Sequence, residues 1–326
     1  MMQKRRLGKS EIEVSPLGFG CWAIGGPFWL DGLPDGWGEV DDRESIRAIE
    51  RALTLGIQFF DTADVYGTGH SEEVLGQALK GRRHEAVIAT KFGFTYDTAS
   101  RNVFTKVDVT PSYIRSACEA SLKRLATDYI DLYQIHAGGV PFEQLDSVID
   151  TLEQLERKGW IRAYGWSTDD TERAEAFAKR SSAASIQHPF NVLIGESDMV
   201  DLCEKYKLSS VNNSPLAMGL LSGKFNPATQ LPADDVRGSR HEWVLYFQNG
   251  KPKAEYLAML ESLREILTSG QRSLVQGALA WIWGKSGCTI PIPGLKTVKQ
   301  VEEAAKAMEF GPLTPAQLKE IDEIRR

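Results

Sequence analysis

Short apolar runs alternate along this chain with longer stretches in which apolar side chains recur at helical spacing. The runs span residues 17–20, 56–61, 86–91, 129–136, 161–167, 183–187, 208–213 and 288–292, and each reads as a strand. Between them the spacing predicts helices over 42–55, 71–79, 112–125, 143–157, 171–179, 197–206 and 298–308. In the first of these Ile46, Ile49 and Leu53 share a face. Punctuation agrees with the period. Thr110-Pro111 opens one helix, where proline costs nothing, and Gly81 and Gly159 close two others.

Eight strands alternating with helices predict an α/β chain folded as a single closed (β/α)8 (TIM) barrel domain over 1–326. Two helical stretches, 254–268 and 273–283, stand before the eighth strand, and Leu313-Thr314-Pro315 starts one more helix at the end. Ahead of the first strand, Arg6-Leu7-Gly8 and Glu13-Val14-Ser15 are placed to pair as a short hairpin. No repeat, low-complexity tract or linker divides the chain.

A chain of 326 residues, 42% hydrophobic and 25% charged, buries a full core without disulfides or metals. The net charge of −6, with only Lys4-Arg5-Arg6 as a basic run, argues against nucleic acid. The opening residues lack the apolar segment of a signal peptide, and no stretch is apolar for long enough to span a membrane. Cys21, Cys118, Cys203 and Cys288 are scattered and read as reduced thiols of a cytoplasmic protein. The five histidines show no metal-ligand spacing, so no metal is expected.

Four chemical groups stand at the finishing ends of strands: Asp61, Lys91 and His136, with Tyr66 in the turn after Asp61. In a parallel barrel those ends open on one face, where catalytic groups from several strands meet. A phenol is a poor acid at neutral pH, and a neighbouring ammonium lowers its pKa. Tyr66 as acid, Lys91 as its activator, Asp61 as the anchor of Lys91 and His136 as the group that orients a carbonyl oxygen form one coherent set. Taken singly, Asp61 reads equally as a turn cap and His136 as a core histidine.

Two nucleotide signals fail. Gly18-Phe19-Gly20-Cys21-Trp22-Ala23 fits a dinucleotide fingerprint, but the chain then runs on through a Gly- and Trp-rich loop instead of opening a helix. Gly219-Leu220-Leu221-Ser222-Gly223-Lys224 misses the phosphate-loop spacing by one residue. Trp22, Phe28, Trp29 and Trp37 on the first loop read as a pocket wall, which favours apolar or aromatic aldehydes. A third barrel chemistry, with Asp61 and Asp64 as paired carboxylates acting on a carbohydrate or phosphate, leaves Lys91 and Tyr66 without a task.

Phe60-Asp61-Thr62-Ala63-Asp64-Val65-Tyr66-Gly67, Ala89-Thr90-Lys91 and Ile130-Asp131-Leu132-Tyr133-Gln134-Ile135-His136 closely resemble the aldo-keto reductases, and the likeness covers essentially the whole chain. The resemblance implies a monomeric barrel that reduces small carbonyl substrates with NADPH and uses Asp61, Tyr66, Lys91 and His136 as its tetrad. It also implies a cofactor site. Ser167 and Gln187 would hold the nicotinamide amide, while Thr168 stands where many relatives have Asn. Ser214, Pro215, Leu216, Gly219, Leu221, Gly223 and Lys224 would wrap the pyrophosphate. Asn213 replaces the aromatic that many relatives stack on the nicotinamide. Gly294, Lys296, Gln300 and Glu303 would hold the adenosine end, with Lys296 on the 2′-phosphate. The long polar segment 225–252 would order over bound cofactor, with Arg237 and Arg240 as phosphate clasps. Some barrels with this resemblance serve instead as cofactor-sensing subunits that turn over slowly.

Overall fold

The computed structural model describes residues 2–195 and 198–326. The eight runs form β1 (Gly18–Gly20), β2 (Phe59–Asp61), β3 (Val87–Phe92), β4 (Leu132–Ile135), β5 (Tyr164–Ser167), β6 (Ser185–Pro189), β7 (Ser209–Asn213) and β8 (Thr289–Pro291). They are parallel and hydrogen-bonded in chain order. The ring closes where Gly20 bridges Gly294 and its N–H donates to the Pro293 carbonyl at 2.8 Å.

Around the barrel run α1 (Asp42–Thr54), α2 (His70–Ala78), α3 (Pro111–Arg124), α4 (Phe142–Arg157), α5 (Thr171–Arg180) and α6 (Asp198–Tyr206). The sixth helix was expected from Ser197, which lies outside the described residues. Next come α7 (Ala254–Thr268) and α8 (Leu274–Lys285) before β8, then α9 (Val298–Phe310) and α10 (Pro315–Arg325). Local signals fix the starts. Thr110 caps α3 by accepting from the Tyr113 N–H, with Pro111 behind it, and Ser273 with Gln276 forms a capping box on α8.

The barrel axis is filled by Phe59, Ala89, Leu132, Ala163, Val211 and Ile290, and Leu7, Ile12 and Val14 close it from below. Those three belong to the N-terminal hairpin, Arg5–Arg6 paired with Glu13–Val14, which is the barrel floor. Its register is Arg5 with Val14, slightly earlier than expected. The first loop departs from expectation as well. Trp29–Leu30 and Leu33–Pro34 pair with each other, and Trp29–Leu30 also pairs with a hairpin after β3, Phe94–Asp97 and Asn102–Val107. This four-stranded sheet stands beside the mouth at the strand C-termini.

Candidate active site

Asp61 ends β2, Lys91 is the penultimate residue of β3, and His136 follows β4, so parallel strand order alone brings them to one rim. Lys91 is fully buried, and its ammonium donates to Asp61 Oδ1 at 2.6 Å, the Thr62 carbonyl at 2.8 Å and the Tyr66 hydroxyl at 3.2 Å. All three ammonium protons are thereby used. Asp61 Oδ2 accepts from the Gln187 amide at 2.9 Å and the Gln134 amide at 3.2 Å. Tyr66 reaches the group from a tight turn held by two glycines. A Cβ on Gly67, whose φ is +61°, would sit 2.0 Å from the Gly25 carbonyl oxygen, so the first loop and the tyrosine turn touch backbone to backbone. The His136 ring meets Tyr66 edge-on with centroids 5.7 Å apart, and its Nδ1 is buried without a hydrogen-bond partner.

The electrostatics correct one expectation. Burial pushes the Tyr66 phenol above its ordinary value, and Lys91 pulls the other way without prevailing. The ammonium therefore limits the rise; it does not lower the phenol below that of free tyrosine. Burial works against the Lys91 charge, but Asp61 and Tyr66 more than offset it and hold the ammonium charged. Burial, helped by Lys91, drives the His136 imidazole well below its usual range, so it is neutral at pH 7.

These groups open into a cleft of about 960 Å³. Ser167, Gln187, Ser214, Pro215, Leu216, Gly219, Lys224, Arg237, Gly294, Lys296 and Gln300 all line it. Leu221, Gly223, Arg240 and Glu303 do not. Leu221 is buried in the core beneath, and the Glu303 backbone is tied to Gln276. Gln187 reaches the cleft but already spends its amide on Asp61. Asn213 also lines the cleft, at the end of β7. Thr168 is buried, with its N–H on the Gln187 carbonyl. The 18–23 segment continues from β1 into a four-residue 3₁₀ turn, Trp22–Gly25, with no helix, so the dinucleotide fingerprint is absent.

The far end of the cleft is cationic. Lys224 is exposed and Lys296 half-buried, and desolvation first, then repulsion from Arg237, lowers both ammonium pKa values. Arg237 is held by Asp235 through bonds of 2.8 and 2.6 Å and lies over the Trp37 ring at 4.6 Å. Beside them, Ser214, Ala217 and Met218 take left-handed backbone at φ +51°, +49° and +54°. Three such non-glycine residues in one turn store strain of the kind that collects at ligand-binding loops. Crowded cations with one shared carboxylate, facing a strained turn, fit a polyanion such as a dinucleotide phosphate.

Sequence reasoning passed over Gln134, although alternation along β4 places it on the same face as Leu132 and His136. It also passed over Asp35, Glu242 and Trp243, which line the substrate end from the two long loops.

A barrel with a carboxylate–ammonium–phenol chain at its strand ends and a cationic groove alongside belongs to the class of barrel oxidoreductases. The chain is a member of the aldo/keto reductase family, whose model matches residues 16–326. It is 31% identical to the NADH-specific methylglyoxal reductase of Escherichia coli over 95% of this chain and 94% of that one. Among solved structures it superposes on the glycerol dehydrogenase AKR11B4 of Gluconobacter oxydans with a TM-score of 0.82, at 31% identity, covering 98% and 94% of the two chains. Aldo-keto reductase AKR11C1 of Bacillus halodurans, 30% identical and covered over 100% and 97%, gives 0.81 in its holo form and 0.73 in its apo form. No helix among the described residues is long and apolar enough to cross a membrane.

Proposed function

We propose that this protein reduces small aldehydes and ketones to alcohols with NADPH, Tyr66 supplying the proton. The observation that carries the reading is the buried chain from Asp61 through Lys91 to the Tyr66 hydroxyl, with a neutral His136 beside it. A bound nicotinamide would supply the hydride. As the carbonyl oxygen gains charge, Tyr66, kept protonated by its burial, donates to it. Lys91 lies 3.2 Å away to stabilise the phenolate left behind, and Asp61 holds Lys91 in place. His136, neutral and with one ring nitrogen unpartnered, aligns the oxygen. The aromatic mouth gives the carbonyl compound a ring-lined wall to pack against. A cytoplasmic monomer fits the family resemblance and the four unpaired cysteines.

The crowding of Lys224, Arg237 and Lys296 favours NADPH over NADH, because a 2′-phosphate adds charge where cations already repel. A relative named as NADH-specific makes the choice worth measuring. Lys296 offers a point charge without the fork of an arginine, so Lys296→Ala should weaken NADPH by about ten-fold or more and leave NADH nearly unchanged. Quenching of tryptophan fluorescence reads both affinities. Equal losses for the two nucleotides would contradict the 2′-phosphate contact.

A further inference from the structure

The substrate end of the cleft differs from the cofactor end in charge and in surface. The Trp22 ring lies over Tyr66 at 6.0 Å and 24°, and Trp243 packs against Trp22 at 5.9 Å. Both indoles line the cleft, and Trp243 is 47% exposed. Asp35 is fastened to this pair from two sides. Its carbonyl oxygen accepts from the Trp22 indole N–H at 3.1 Å. Its Oδ1 lies 3.3 Å from Nε2 of His241, whose ring stacks on Trp243 at 5.2 Å and 20°. That same nitrogen is 3.1 Å from the Pro34 carbonyl, and Asp35 Oδ1 remains buried without a hydrogen-bond partner. Glu242 lines the same part of the cleft.

Each substrate class would meet this wall differently. An anionic substituent would face two carboxyl groups, and Arg237, the cation brought near this wall through Trp37, is already held by Asp235. A plain apolar substituent would leave the buried Asp35 Oδ1 as unpaired as it already is and gain nothing from it. A cation meets both features, since indole faces attract positive charge and the carboxylate compensates it. Burial holds the Asp35 carboxyl well above its ordinary value, and an adjacent cation would draw it back towards ionisation.

Resting on the carbonyl-reductase reading above, we propose that this cleft selects carbonyl compounds carrying a positively charged ammonium group, with Asp35 as the specificity-determining residue and Trp22 and Trp243 as the faces that pack against the charge.

(Trimethylammonio)acetaldehyde and 3,3-dimethylbutanal have nearly the same shape and differ in charge. Steady-state reduction of both by the unaltered protein should favour the cation in kcat/KM on the order of ten-fold. Asp35→Asn should bring that ratio towards one. A ratio at or below one in the unaltered protein overturns the proposal without needing any variant. A preference that survives Asp35→Asn overturns the assignment to Asp35. Glycolaldehyde turnover lost in the variant, with no charge preference in the parent, would make Asp35 a neutral hydrogen-bonding site and also overturn it. Turnover of the neutral aldehyde alone leaves the reductase reading standing, whereas failure on both of these and on an aromatic aldehyde removes that reading together with the proposal.

Discussion

Lys91 is the residue on which the rest of the site depends, because its three protons are shared among a carboxylate, a backbone carbonyl and the Tyr66 hydroxyl. That Asp61, Tyr66, Lys91 and His136 meet was legible in the sequence, since strand ends in a parallel barrel share one rim. The sign of the Tyr66 shift was not legible, because it depends on how much burial outweighs the ammonium. That sign has a kinetic consequence. The phenol must be protonated to donate, and its pKa lies above the ordinary value of about 10. His136 stays neutral down through the ordinary histidine range, near 6.5. The single-turnover reduction rate should therefore be level from about pH 6.5 to about pH 10 and decline only above that. Stopped-flow traces across that range check it, and a fall centred near pH 8 would contradict the assignment of charge.

Among the elements, all eight strands and their helices were legible from period and punctuation, but several strands start later than their apolar runs do. Ile57 is apolar and fully buried, yet it leads into the barrel without being a ladder residue of β2, whereas Ile130, ahead of β4, makes an isolated parallel bridge to Ile161. Burial beneath the barrel imitates a strand. The small mouth sheet was not legible for a different reason, since the pairing that joins its two hairpins links segments about seventy residues apart. Its first turn did carry a signal. Asp31-Gly32, with φ +47° and +81°, is the two-residue hairpin type that Asp-Gly favours, and Asn249-Gly250 repeats it between Phe247–Gln248 and Lys251–Pro252. The segment 225–252 is accordingly less loop-like than its polarity suggested. Val236, Val244, Tyr246 and Phe247 are buried, and the Val236 N–H donates to the Gly36 carbonyl at 2.8 Å, joining it to the first loop. Arg237 is buried in this lacing, while Arg240 is exposed. Trypsin should thus cut after Arg240 in preference to Arg237, and NADPH should slow that cut by stabilising the closed segment. Mass analysis of timed digests reads both sites, and an equal rate with and without NADPH would count against closure over the cofactor.

At the scale of the whole molecule, a chain of net charge −6 gathers Lys224, Arg237 and Lys296 into the same cleft as the carboxyl groups of Asp35 and Glu242. The barrel makes this possible, because loops far apart in sequence all rise from the same rim. The N-terminal hairpin seals the opposite end, so the chemistry has one entrance.

The central claim, that Tyr66 gives the proton in a carbonyl reduction, is tested most directly by a single turnover of NADPH and an aromatic aldehyde on Tyr66→Phe. The account predicts that NADPH binds with nearly its original affinity while the reduction step slows by about 10² to 10⁴. A variant that binds NADPH and reduces the aldehyde at the original rate would contradict it.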